Sequence, residues 1–216
     1  DTAVKGLNEK QIDALDALSF AGFRANQLAE LSPEAVAGIK PEQFANLRNE
    51  ALSGLKAEQI SAITPETFTA LEKQQLERLA ANALAGLTAE QLTVISTNTI
   101  EGINQKQLQS LSKEALEGLT ANQFLALDKS ALGGLTSANF SGLQPEILSA
   151  MTEVDLDRLD PSDVAENFSN FVTNLNEVSI SPEKVAKLLP DGWNIDSTGE
   201  LEAPVGAKLT FAALRE

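Results

Sequence analysis

The chain has 216 residues, of which 43% are hydrophobic, and it carries a formal net charge of −15. Such an acidic composition argues against nucleic acids and anionic membranes as partners, because proteins that bind them need basic surfaces. The sequence contains neither cysteine nor histidine, which removes the Ser–His and Cys–His catalytic pairs and the commonest metal ligand. We therefore expect a folded, non-catalytic protein without a resident cofactor, and no apolar run is long enough to span a membrane.

Apolar residues recur from Leu7 to Leu159 in units of eight, with two apolar sites three residues apart and then a gap of five. A spacing of three fits one face of a helix, but an eight-residue period drifts around a continuous helix by about 80° per unit. Proline is favoured at the first position of a helix, and five prolines stand one residue after a multiple of eight: Pro33, Pro41, Pro65, Pro145 and Pro161. The pattern therefore predicts a new short helix in every octad.

The residue ahead of most predicted helices is a good N-cap, because its side chain can accept bonds from the free amides of the first turn. These residues are Asn8, Asp16, Ser32, Thr64, Thr88, Ser96, Asn104, Ser112, Thr120, Asp128, Thr136, Thr152 and Asp160. Thr88 and Thr120 are followed by glutamine at the third helical position, which predicts capping boxes. Helices are expected to begin more weakly at six other positions: Arg24, Lys40, Arg48, Lys56, Glu72 and Ala80.

Two kinds of octad alternate, so the full repeat is a 16-residue unit. The glutamine octads carry glutamine before their first apolar site, from Gln11 to Gln123, and Asn139 and Asp155 continue this column. The glycine octads carry a small residue there, and in seven of them a glycine lies between the two apolar sites. Glycine costs a helix roughly 0.5–1 kcal/mol, so its recurrence indicates close approach to a neighbouring turn. The sequence predicts an all-α repeat, a slender α-solenoid of about ten 16-residue units over residues 1–160, with two short helices per turn.

The octad pattern ends after Leu159, and residues 161–216 form a different region. Longer helices are predicted to begin at Pro161 and Pro182, and short strands are predicted from Trp193 onwards. A repeat array needs an atypical end to cover its last apolar face, so this region is predicted to be a small α+β cap. The alternative is a docking element, which Trp193 would mark.

The densest acidic cluster lies at the end of the array and is a candidate calcium site. Carboxylate oxygens are the ligands that Ca²⁺ prefers, although the spacing matches no EF-hand loop and one member is already explained as an N-cap. The cluster consists of Glu153, Asp155, Asp157, Asp160 and Asp163.

The glutamine column has two interpretations. Its amides could form a ladder that reads a ligand along the array, or each glutamine could be the capping-box partner of its own helix. Two further motifs, at Asn139-Phe140-Ser141 and Asn167-Phe168-Ser169, match the acceptor pattern for N-glycosylation.

The octads at Leu87–Leu92, Leu119–Phe124 and Ile39–Phe44 resemble the LTxxQ octad runs of very large bacterial surface and secreted proteins of the adhesin and RTX-like type. The resemblance covers about residues 4–163, although strict alternation of two octads departs from the pattern. It implies an extracellular or cell-surface location and a role as a stalk or adhesion segment. The chain also begins in mid-repeat, which predicts that it belongs to a longer polypeptide. The alternatives are a binding module for a protein, peptide or glycan, and an intracellular scaffold.

Overall fold

The computed structural model describes residues 4–140, 142–151, 155, 158–159, 194–195 and 201–202. Its described part up to residue 151 contains eighteen short helices, one in each octad, as the apolar pattern predicts. The helices of the glutamine octads are α1 (Glu9–Asp13), α2 (Ala25–Leu28), α4 (Pro41–Ala45), α6 (Ala57–Ala62), α8 (Lys73–Arg78), α10 (Ala89–Val94), α12 (Gln105–Ser110), α14 (Ala121–Ala126) and α15 (Ser137–Phe140). Those of the glycine octads are a 3₁₀ helix (Ala17–Gly22), α3 (Pro33–Val36), α5 (Asn49–Leu52), α7 (Pro65–Phe68), α9 (Ala81–Leu84), α11 (Thr97–Ile100), α13 (Lys113–Leu116), a second 3₁₀ helix (Lys129–Gly134) and α16 (Pro145–Ala150).

Two strands lie in the C-terminal region. Strand β1 (Asn194–Ile195) pairs with strand β2 (Leu201–Glu202) in antiparallel register, with Asn194 opposite Glu202. This pair agrees with the short strands predicted after Trp193. The two longer helices predicted to begin at Pro161 and Pro182 lie outside the described residues, as does most of the predicted cap.

The helix starts follow the capping chemistry read from the sequence. Nine of the predicted caps accept a backbone N–H bond with their side chains: Asn8, Asp16, Ser32, Thr88, Ser96, Asn104, Ser112, Thr120 and Asp128. The capping boxes of Thr88 and Thr120 are confirmed. Thr64 differs, because its hydroxyl bonds to the Thr67 hydroxyl at 3.1 Å instead. Proline occupies the start of α3, α4, α7 and α16, where its missing amide costs no helical bond.

The two kinds of octad build helices of different length. From α3 to α13, every glycine octad forms a helix of only four residues. From α6 to α14, every glutamine octad forms one of six residues. Helices this short are marginal alone in water, so their persistence depends on contacts between octads.

Contacts between helices follow one rule along the array. Counting both kinds of helix in chain order, each described helix packs against the third helix further along: α1 against α3, α3 against α6, α6 against α9 and α9 against α12. Hydrogen bonds from a side chain to a backbone carbonyl of a distant octad recur at a separation of 28 residues, which is three and a half octads. The expectation of two helices per turn is therefore wrong. The chemistry of the octads repeats every two octads, but the octads that pack against each other are not two apart. The chain passes through more than two octads before it lies against an earlier one.

The apolar sites of the octads form one continuous core from Ile12 to Leu159. The largest completely buried side chains include Phe20, Phe44, Phe68 and Phe124. The rings of Phe44 and Phe68 pack against each other with centroids 6.0 Å apart and planes tilted by 38°, and they belong to helices that are neighbours by the same rule. Each octad thus buries two or three side chains only by covering an octad elsewhere in the chain.

The glycine column marks where two backbones meet. A Cβ atom added to Gly102 would lie 2.9 Å from the carbonyl oxygen of Lys73, in the preceding turn. At five further glycines the corresponding overlap with a backbone carbonyl is closer: Gly38, Gly54, Gly86, Gly118 and Gly134. The close approach inferred from the sequence is confirmed. Gly22 is the informative exception, since nothing lies within 4 Å of its added Cβ.

We predict that Gly86→Ala lowers the free energy of unfolding by about 1–3 kcal/mol, because its methyl group would overlap the Ala57 backbone. Gly22→Ala is the matched control in the same octad position, where the space is open and alanine should be neutral or slightly stabilising. Chemical denaturation of both variants measures the difference. Equal effects at the two positions would contradict the close approach.

Candidate functional site

The glutamine column is the most regular polar feature of the array. In each glutamine octad from Gln11 to Gln123 the side-chain oxygen Oε1 accepts a bond from the backbone N–H of its own N-cap residue, at 2.8–3.1 Å. This is the glutamine half of the capping box. It also operates at Arg24, Lys40, Lys56 and Glu72, whose own side chains do not cap. These starts, which were predicted to be weak, are therefore half-capped.

The other end of each amide reaches the preceding turn of the array. Gln91 donates through Nε2 to the Ile60 and Ile63 carbonyls at 2.8 and 2.6 Å. The same pair of bonds, to carbonyls 31 and 28 residues earlier, is made by Gln43, Gln59, Gln75, Gln107 and Gln123. All six side chains are buried, with 1–2% of their surface exposed. Each glutamine thus joins three backbone groups, an arrangement called here the glutamine clamp.

The clamp decides between the two interpretations of the column. In the six clamped glutamines, the amide is buried and its oxygen and nitrogen are both bonded to backbone, so no group is left for a ligand and the ligand ladder is wrong there. The capping role is confirmed for all eight glutamines. Sequence reasoning missed the donor half. A signal was present, because glutamate serves a capping box equally well but cannot donate, and this column contains glutamine in eight successive units.

Basic residues at the N-cap position have a second role. Lys40 and Lys56 donate through Nζ to backbone carbonyls 27 residues earlier, of Asp13 at 3.3 Å and Ala29 at 2.7 Å. Arg48 donates through Nε to the Ala21 carbonyl, at the same separation. These carbonyls lie near the C-terminal ends of short helices, where a cation is favourable. A basic side chain that cannot cap the start of its own helix therefore binds a carbonyl near the end of another helix.

Two threonines make a partial version of the clamp in the glycine octads. Thr67 and Thr99 are buried, and their hydroxyls donate to the carbonyls of Ile39 and Leu71 at 2.7 and 2.8 Å, again 28 residues earlier. Alanine occupies the equivalent site in most other glycine octads. The threonines thus add polar bonds where most turns rely on apolar packing.

Of the candidate calcium ligands, the structure describes only Asp155. This side chain is buried and forms an ion pair with Lys129. An ionised aspartate cannot donate as glutamine does in the same column, and the lysine supplies the compensating charge. Glu153, Asp157, Asp160 and Asp163 lie outside the described residues. Within the described ranges, no group of three or more acidic side chains is placed to hold a metal ion.

The remaining candidate positions are placed only in part. Trp193, the candidate binding aromatic, lies outside the described residues. Asn139 of the first glycosylation motif is buried, and its Nδ2 donates to the Leu108 carbonyl at 3.2 Å. Glycosylation would require this nitrogen to give up its hydrogen bond and its buried position. In the structure, Asn139 therefore serves as a buried hydrogen-bond donor within the array. Asn167 of the second motif is also outside the described residues.

A shallow cavity of about 260 Å³ lies where three octads meet near the N-terminal end. Its lining includes Asp13, Lys40, Glu66 and Thr67. Lys40 bonds to the Asp13 carboxylate at 2.8 Å, and the Thr67 hydroxyl donates to a backbone carbonyl. Most of the polar groups that could act on a ligand are thus already engaged within the array.

Three surface carboxyl groups and one surface lysine have pKa values shifted by helix capping or by pairing with a neighbouring charge. Hydrogen bonds from the Ser130 hydroxyl and amide lower the pKa of Asp128, which caps the second 3₁₀ helix. Glu34 and Glu90 have lowered pKa values because their own backbone amides and neighbouring cap hydroxyls bond to them. Lys73 Nζ donates to Glu101 Oε2 at 2.9 Å, and this hydrogen bond raises the pKa of Lys73. These arrangements stabilise helix starts and join turns.

Exposed apolar surface is sparse in the described part of the array. The large exposed side chains there are Leu18, Leu125 and Val94, exposed to 75%, 46% and 36%. The described helices are all too short to cross a bilayer. No protein-family model matches this sequence, and no curated protein matches it either.

We predict that Gln91→Glu destabilises the array by at least roughly 3 kcal/mol at neutral pH, because a carboxylate would face two carbonyls without donating. Burial against carbonyls raises the pKa of this new carboxyl in the folded state above its unfolded value. The loss should therefore be smallest below the unfolded pKa of about 4.3 and grow as pH rises through the folded pKa.

Gln27→Glu is the matched control, because the described residues place no carbonyl against its Nε2, and it should change stability little at any pH. Thermal unfolding of both variants between acidic and neutral pH tests the prediction. A pH-independent loss at Gln91 would argue against the clamp.

Proposed function

We propose that the chain is a slender α-solenoid that serves as a non-catalytic stalk or adhesion segment of a bacterial surface or secreted protein. The observation that carries this proposal is the clamp, repeated with the same two separations through six glutamine octads. A bond pattern that repeats without change along the chain supports a uniform rod. It gives no unit a distinct chemical task.

The use of polar groups supports a structural role. The buried glutamines, the two buried threonines and the basic cap residues all bond to backbone carbonyls of another turn. The second helical position is mostly polar, and five successive helices carry glutamate there: Glu34, Glu42, Glu50, Glu58 and Glu66. Acidic side chains are favourable at helix starts, which accounts for part of the negative charge without a ligand.

The C-terminal region fits the role of an end cap in this proposal. Leu143, Met151 and Leu159 are still buried, although they belong to the last octads before the pattern ends. A solenoid needs a different structure beyond its final turn, and residues 161–216 together with the β1–β2 pair would supply an α+β cap. The likeness to LTxxQ octad runs is the argument for a bacterial extracellular location and for a longer parent polypeptide.

A binding module is the second candidate function, and one observation favours it. Leu125 and Val94 are exposed apolar side chains on α14 and α10, in an array that otherwise buries most of its large apolar residues. These side chains, or alternatively the C-terminal region around Trp193, would provide a place for a protein, peptide or glycan partner. A stalk has interchangeable units, whereas a binding module has one saturable site.

Interchangeable units give a deletion test. Removing residues 57–72 takes out one 16-residue unit with its clamp at Gln59 and leaves every remaining clamp and glycine in phase, so we expect a folded, shorter array with modestly lower stability. Removing residues 57–64 takes out one octad and keeps the apolar period, but it places side chains such as Val94 where the array needs glycine. We expect this variant to unfold or to lose cooperativity. Circular dichroism melts of both deletions decide, and equal tolerance would count against the solenoid.

Binding is tested by capture of extracellular glycans and envelope proteins on the purified chain, with and without calcium. A stalk predicts no saturable, competable capture by folded protein. Capture that Trp193→Ala abolishes would place the site in the C-terminal region, and capture that Leu125→Ser abolishes would place it on the array. Either result would replace the stalk by the binding module.

A further inference from the structure

The first turn of the array contains clamps that are only half used. Gln11 and Gln27 accept their N-cap amides through Oε1 at 2.9 Å, as the later glutamines do. Among the described residues, nothing accepts a bond from their Nε2 atoms. Gln11 is exposed and Gln27 half-buried, whereas the next glutamine in the column is buried. The two amides present four N–H donors on the N-terminal face of the array.

Other features of the same face lack their usual counterpart. The space next to Gly22 is open, although most glycines of this column lie against a backbone carbonyl of the preceding turn. Leu7 and Leu15 are only partly buried, whereas the same octad position is buried from Phe23 to Leu135. Unused amide donors, open space beside a glycine and partly buried leucines thus occur together at the N-terminal end of the array.

The separations within the array say what fits this face. If Gln27 followed the other clamps, its two partners would lie 31 and 28 residues before it, which is ahead of Asp1. The backbone that should cover Gly22 would likewise lie ahead of Asp1, because Gly54 meets Ala25 and Gly86 meets Ala57 at one constant separation. We infer that the N-terminal face is a docking surface for one further turn of the same octad repeat, which would present its carbonyls and bare backbone at these separations. This inference rests on the proposed solenoid and deepens it.

The chemistry argues for this occupant over others. A further turn presents carbonyl pairs to both glutamines and a bare backbone to Gly22, which continues an interface already repeated along the array. A second copy docked face to face would set amide donors against amide donors. An unrelated apolar cover would bury Leu7 and Leu15 and leave the amides without acceptors, which is costly.

The chain supplies its own test segment. Residues 72–96 fused directly ahead of Asp1 continue the 16-residue phase, so that Gln11 meets the copies of Leu76 and Leu79, the partners that Gln107 has in the native array. Gln27 likewise meets the copies of the partners of Gln123. A fusion of residues 64–88 has equal length and the same apolar period, but it is out of phase by one octad.

Hydrogen exchange at α1 and α2 is the measurement. We expect the in-phase fusion to slow exchange there at least about tenfold, as two extra buried hydrogen bonds per glutamine would. The out-of-phase fusion should give little protection. Gln27→Glu should be nearly silent in the native chain but should remove the protection of α2 in the in-phase fusion.

Three results would overturn the inference. They are unchanged exchange in the in-phase fusion, equal protection by both fusions, and protection of α1 in the unfused chain that grows with protein concentration, which would assign the face to a second copy. Exchange at α10, far from the fusion, reports separately on the solenoid. Rapid exchange there would count against the proposed function itself.

Discussion

The buried glutamine amide is the interaction on which the rest of the array depends. Its oxygen fixes the start of a short helix, and its nitrogen fastens that helix to carbonyls 28 and 31 residues earlier. Helices this short do not persist alone, and each buried hydrogen bond contributes about 1 kcal/mol net. In six glutamine octads, the same side chain therefore supports both the start of the local helix and its contact with another turn.

Close backbone approach is the second half of the same design. Amide-to-carbonyl bonds between turns require the turns to lie near one another, and the glycine column makes that possible where the two backbones meet. Basic side chains such as Lys56 then satisfy the carbonyls at the helix ends. Most of the polar groups that distinguish the octads bond to backbone within the array, which supports the structural role proposed above.

The sequence predicts the local structure well and the winding poorly. Octad periodicity, the proline positions and the caps predict one helix per octad, and the helices lie where expected. The neighbour of each turn was misjudged, because a chemical period of two octads says nothing about how far the chain travels before it returns. For the same reason Lys40 and Lys56 read as defects, since their partners lie 27 residues away. At the candidate calcium site, only the buried pair of Asp155 and Lys129 can be compared.

The mismatch between the two-octad repeat and a return near 28 residues has a consequence for what the outside of the array offers. In the proposed solenoid, one turn would contain three and a half octads and so never a whole number of repeats, which means that an identical side chain would point in the same direction only after several turns. Each kind of surface residue would therefore follow a spiral stripe around the axis. A flat or straight partner would meet any one such residue only at widely spaced points, so its contacts would be single and local.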